Sequence, residues 1–182
     1  MTALTEKQRS AMASILPAAI ASERDTGCPA ELTVAQWAIE SAWGAAVFEN
    51  NPFGIKAYPG CAGRQLLRTQ EYFTDLEVGG FLARGQGRTA VIHGQRASSR
   101  NLYDVRDFFA TFPTLADAFS FHGRLLQQGP YRAAWDRYQK DHDLAAYIHG
   151  IAAHYSTTAS YGDTVAQWAT HPEITAAVVA AR

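Results

Sequence analysis

Cysteine is almost absent from the 182-residue chain: Cys28 and Cys61 are the only two, 33 positions apart. That spacing builds neither a zinc-binding CxxC pair nor a disulfide framework, and leaves either one bridge or two free thiols. Charge is scarce too. Charged residues make up 18% of the chain, and sixteen Lys and Arg against seventeen Asp and Glu give a formal net charge of -1. A near-neutral chain lacks the basic footprint of a general nucleic-acid binder. No run approaches the roughly 20 apolar residues of a membrane span. Nor is there a G-x-S-x-G elbow or an HExxH pair, and His142, His149 and His154 read as solvated or core histidines. Gly85-Gln-Gly87 is a turn without the rest of a phosphate-binding fingerprint.

What is abundant is Ala, 33 residues of 182, together with 47% hydrophobic and 12% aromatic residues. Ala is the best helix former, so a mainly helical, well-cored single domain spanning 1–182 is expected. Lys7 and Arg9 ahead of Ala11 to Ala21 mimic a secretory signal. Pro17 interrupts that run, polar Thr5 to Ser10 precede it, and Met12, Ile15, Leu16 and Ile20 recur at amphipathic spacing. It therefore reads as a helix of the domain and not as a signal peptide. The protein is then expected to act where it is made, or to leave the cell by lysis or other machinery.

Composition changes along the chain. Residues 51–107 hold only five Ala but eight Gly, and Leu66 to Phe73 and Arg88 to His93 read as strands between Gly-containing turns. This predicts an α+β, mainly α protein: a helical body with a small β-hairpin lobe at about 56–107. Between Lys56 and Arg106 there are eight basic and four acidic residues, so the lobe is the positive part. Elsewhere, Pro29 suits a first helical position, and Leu32, Ala35, Ile39, Ala42 and Trp43 form one stripe ending at Gly44. Thr114 with Asp117 forms a capping box, Pro130 opens a short helix through Tyr138, and Leu144, Tyr147, Ile148 and Ile151 repeat at helical spacing. Two further helices are expected at Tyr161 to Thr170 and Glu173 to Ala181.

Glu40 stands out chemically. It lies three residues from Trp37 and three from Trp43, among small and aromatic neighbours. Desolvation there raises a carboxyl pKa towards the range in which it delivers protons at neutral pH. A surface Glu on an amphipathic helix is the alternative.

The order of motifs adds to this. A helix ending Glu40-Ser-Ala-Trp-Gly44 is followed by Asn51-Pro-Phe-Gly-Ile-Lys56, Thr69-Gln-Glu-Tyr72 and finally Tyr155 to Val165. From about Ile15 to Trp168 the chain resembles the flagellar-type β-N-acetylglucosaminidases of glycoside hydrolase family 73, with their lysozyme-like fold. Ile15 to Ala19 resembles the family's first helix, Cys28 to Gln36 its lead-in to the catalytic helix, and Gly129 to Ala133 its Tyr-centred turn. Ala110, Phe112, His154 and Thr158-Ala159 depart from its pattern, which bears on subsite shape rather than on the acid.

The resemblance implies a peptidoglycan hydrolase that needs no cofactor and no metal. Glu40 would be the general acid for the bond between N-acetylglucosamine and N-acetylmuramic acid. Glu71 is the implied second carboxylate, with an exposed strand residue as its alternative. Tyr155 would position the acetamido group or water, or be a core Tyr. Trp43, Asn51, Phe53, Lys56, Tyr131 and Tyr161 are expected at the substrate cleft. Arg84, Arg88, Arg96, Arg100 and Arg106 are expected either to meet stem-peptide carboxylates or to lie on a solvated loop. The expected partner is the glycan strand, with no nucleic acid, no membrane span and a secretion or virion protein as a further partner. Two other readings remain: a lytic transglycosylase or muramidase on the same fold, and a non-catalytic wall-binding or structural module.

Overall fold

Three threonines start helices by the same local chemistry. The hydroxyls of Thr5, Thr74 and Thr114 accept from the backbone N–H three residues on, and the side chains of Gln8, Glu77 and Asp117 accept from the threonine N–H in return. In chain order the computed structural model has α1 (Glu6–Thr26), α2 (Ala30–Glu40), β1 (Gly63–Phe73), α3 (Asp75–Ala83), β2 (Thr89–Gly94), β3 (Asn101–Thr111), α4 (Leu115–Leu125), α5 (Arg132–Asp141), α6 (Leu144–Tyr155), α7 (Tyr161–Ala169) and α8 (Pro172–Ala181). A 3-10 turn, Gly129–Tyr131, leads into α5. The structure describes residues 2–94, 100–156, 158 and 160–182; Arg96 and Ala159, named above, lie outside them.

The chain forms two compact units, residues 1–53 with 112–182, and residues 54–111. In the first, α2 is the central element. Every residue from Ala30 to Ala38 is buried, and the helix packs on α1, α7 and α8. Leu32 and Ala35 join Leu126, Tyr147, Ile148, Ile151, Tyr161 and Val165 in one core. Met12, Ile15 and Ile20 are buried on α1, so the signal-like stretch is part of the folded helix, Pro17 included. No helix among the described residues is long and apolar enough to cross a membrane.

The second unit is a three-stranded antiparallel sheet in the order β1-β3-β2, with Gly63 opposite Thr111 and Phe73 opposite Asn101. It is therefore more than the expected hairpin. The two foreseen strands are present, but β3 lies between them, across the predicted start of a helical part. Tyr103 and Val105 face inwards on β3 and pack with Phe81 of α3, while Asp104 and Arg106 are exposed. The helix α3 was also unforeseen, because Gly79 and Gly80 weaken its pattern. Both cysteines are free, and burial pushes the Cys28 thiol up to about 12.

Candidate active site

The helix that carries Glu40 is shorter than its apolar stripe suggests. α2 ends at Glu40; Ala42, Trp43 and Gly44 take positive φ of 48°, 59° and 81°. Ser41 fastens this turn: its hydroxyl donates to Trp37 O at 2.6 Å and accepts from Gly44 N–H at 2.8 Å. Trp43 is thus off the helix and half-buried, edge-on to Trp37 at 5.9 Å and to Trp168 at 5.2 Å. Similarly, Pro29 caps α2 rather than opening it.

Glu40 is the last residue of this buried helix and is itself only partly exposed. Burial holds its carboxyl above the ordinary range, and the hydrogen bond from Tyr161 works in the opposite direction. The C-terminal end of a helix dipole also disfavours an added negative charge, so position and burial favour the protonated acid. The Tyr161 hydroxyl donates to Glu40 Oε1 at 2.7 Å and accepts from Gln36 Nε2 at 3.0 Å. Burial, with the charges nearby, raises the Tyr161 phenol pKa, so its proton stays in place.

Aromatic rings surround this pair. Tyr155, at the end of α6, stacks on Tyr161 with centroids 5.6 Å apart and planes 10° from parallel, and Tyr131 lies 6.3 Å from Tyr155. The Tyr155 hydroxyl donates to Phe53 O at 3.4 Å, and burial, then the Glu40 charge, keeps it neutral. Phe53 is not a wall residue with a free face: it is 3% exposed, stacked on His122 at 3.9 Å. Tyr161 is likewise 8% exposed, and its hydroxyl already serves Glu40 and Gln36, which leaves no polar atom for a sugar. Asn51 is buried, its N–H bonded to Phe48 O. His122 is fully buried, and burial lowers its pKa to about 3.

In the second unit the sequence-predicted residues Lys56 and Glu71 meet. Lys56 Nζ lies 2.7 Å from Glu71 Oε1, 3.3 Å from Asp107 Oδ2 and 4.1 Å from the Phe109 ring centre. Asp107 also holds Arg88 at 2.8 Å; burial acts to raise its pKa, but the Arg88 and Lys56 interactions outweigh it and lower the value. Of the arginines expected either to meet substrate or to lie on a solvated loop, Arg88 and Arg100 are engaged by Asp107 and Glu77, and Arg84 stacks on Phe81. Arg106 lies directly across the ladder from Arg68. No group of three or more His, Cys, Asp or Glu among the described residues is arranged to hold a metal ion.

Gln36 escaped the sequence reading because its partner Tyr161 lies 125 positions away. The only local signal was its place one turn before Glu40, on the same helix face.

A mainly helical scaffold with a small three-stranded antiparallel sheet is the fold of the lysozyme-like proteins. The chain belongs to the glucosaminidase family, described as mannosyl-glycoprotein endo-β-N-acetylglucosaminidase, whose model matches residues 16–173, and it is a glycoside hydrolase. Similar solved structures include the catalytic domain of the autolysin Auto from Listeria monocytogenes, with TM-score 0.64, 18% identity, 97% of this chain and 90% of that chain covered. The glycoside hydrolase domain of Salmonella typhimurium FlgJ gives TM-score 0.60, 17% identity, 95% and 92%. A peptidoglycan hydrolase from Sphingomonas sp. A1 gives 0.58, 19%, 96% and 95%. Comparison with curated proteins gives no match.

Proposed function

We propose that this protein hydrolyses the β-1,4 bond between N-acetylglucosamine and N-acetylmuramic acid in peptidoglycan, with Glu40 as general acid. The observation that carries the proposal is the environment of Glu40: a partly buried carboxyl at a helix C-terminus, held above the ordinary range and oriented by a tyrosine that keeps its proton. Glycoside cleavage requires such a group to protonate the leaving oxygen while positive charge develops on the sugar ring. The family membership and the peptidoglycan hydrolase and autolysin among the similar structures support the substrate class.

Tyr155, neutral and stacked beside Tyr161, is the group proposed to position the acetamido group or water. Glu71, ion-paired with Lys56, is the proposed second carboxylate. Trp43, Asn51 and Tyr131 are proposed to shape the sugar site. The wall is reached after lysis or through other export machinery, with a secretion or virion partner.

The test compares the wild type with Glu40→Gln on purified peptidoglycan and identifies the new chain ends by mass spectrometry. The wild type is expected to release fragments with N-acetylglucosamine reducing ends, and Glu40→Gln to lose about 100-fold or more in turnover. Equal turnover would refute the acid assignment. Anhydro-muramic ends would make the enzyme a lytic transglycosylase, and binding without release would make it a wall-binding module.

A further inference from the structure

The hydrogen bonds around Glu40 have a direction. An ionised carboxylate only accepts, so the single proton of Tyr161 points at Glu40 Oε1, 2.7 Å away. The Tyr161 oxygen is then free to accept, and Gln36 Nε2 donates to it at 3.0 Å. Gln36 is 0% exposed and four residues before Glu40 on α2, which puts the two side chains on one face and Tyr161 across both. The other end of the amide, Oε1, has no hydrogen-bond partner among the described residues. Turned around, the amide would offer that oxygen to the same phenol proton and compete with Glu40 for it.

We infer that Gln36 is a positioning residue: it fixes the direction of the Tyr161 hydroxyl so that Tyr161 donates always to Oε1 of Glu40, leaving Oε2 to carry and deliver the proton. The inference deepens the proposed function and rests on it for the catalytic meaning of Glu40. Buried, Gln36 cannot touch substrate and acts only through Tyr161. Donation from Gln36 also polarises the Tyr161 O–H bond, which strengthens its hold on the ionised form of Glu40. Removing Tyr161's hydroxyl should therefore raise the Glu40 pKa, and removing Gln36 should raise it by less. Removing both should give the same shift as removing the hydroxyl alone.

The experiment titrates the Glu40 carboxyl by NMR in 13C-glutamate-labelled protein, with Glu40→Gln assigning the resonance. Wild type, Gln36→Met, Tyr161→Phe and the double variant are compared, alongside their pH-rate profiles on peptidoglycan. The expected order of shifts is Q36M below Y161F, with Y161F equal to the double variant. The basic limb of the profile, which reports loss of the acid's proton, should move to higher pH in the same order. A Gln36→Met protein with a lower Tm but an unmoved Glu40 titration would overturn the inference, as would shifts that add in the double variant. If Gln36→Met does not fold, Gln36→Glu keeps the volume. Once ionised it draws the Tyr161 proton to itself, so the upward shift should be larger with Tyr161 present than in the Y161F background; equal shifts would overturn the inference. The two readings fail separately: unchanged turnover in Glu40→Gln removes the acid without touching the titrations.

Discussion

Burying Glu40 makes its ionised form costly to the folded state. Its folded pKa lies above the ordinary carboxyl value, mainly through burial. Between the unfolded and folded values the native state therefore binds more protons than the unfolded state, so stability falls as pH rises through that window. Above it the ionised carboxylate imposes its full cost. Glu40→Gln removes the titration yet keeps an oxygen to accept from Tyr161. It is expected to stabilise the protein at neutral pH by about 0.5–2 kcal/mol, the range common when a functional site is relaxed. Thermal unfolding from pH 3 to pH 8 checks this: the two Tm curves should meet at acid pH and part as pH rises. Parallel curves would contradict it. Glu40 was legible in the sequence because its aromatic and small neighbours are adjacent in the chain. Gln36 was not, and neither was the burial of Phe53, because an aromatic ring on a sugar and one on a buried His122 have the same local sequence signature.

At the level of elements, the end of α2 decides where Glu40 points. The expected helix ran on to Gly44 because Ala42 and Trp43 continue the apolar stripe, and periodicity does not register a change to positive φ. Gly44 adopts φ +81°, and a Cβ there would lie 3.1 Å from Trp37 Cζ2. Gly60 adopts φ +87° with nothing within 4 Å of its would-be Cβ. Gly60→Ala should thus cost only the left-handed strain, about 1–2 kcal/mol, while Gly44→Ala should cost more and also lower turnover by disturbing the Trp37–Trp43 turn. Chemical denaturation of both variants with activity assays checks this, and equal costs would remove the role given to Trp37. The other helices of the first unit were legible to within a few residues, since amphipathic spacing and capping boxes are local. β3 was not, although its inward Tyr103 and Val105 alternate with charged Asp104 and Arg106 as in a half-buried strand; its place between β1 and β2 depends on strands distant in sequence.

For the whole molecule, the two units differ in how much they bury. The first has a continuous core that includes Leu32, Leu126, Tyr147, Ile148, Ile151 and Val165, each at most 1% exposed. The second centres on Phe81, Tyr103 and Val105, with Phe73, Val78 and Ala90 partly buried around them. At about 1.5–3 kcal/mol for each fully buried large apolar side chain, the three central residues supply roughly 5–9 kcal/mol before any conformational entropy is subtracted. Two of its ion pairs add little: Lys56–Glu71 and Arg100–Glu77 have side chains between 35% and 42% exposed, a setting in which such pairs are worth about 0–1 kcal/mol. In the largely buried Arg88–Asp107 pair, desolvation offsets much of the attraction. The second unit should therefore open at lower free energy than the first. Native-state hydrogen exchange in low denaturant is the measurement. Amides of α2, α6 and α7 are expected to exchange only on global unfolding. Those of β1, β2 and β3 should exchange through an opening of smaller free energy and smaller denaturant dependence. A single protection level across both units would show that one cooperative transition covers the chain, and that the sparser burial around Phe81 sets no separate limit on stability.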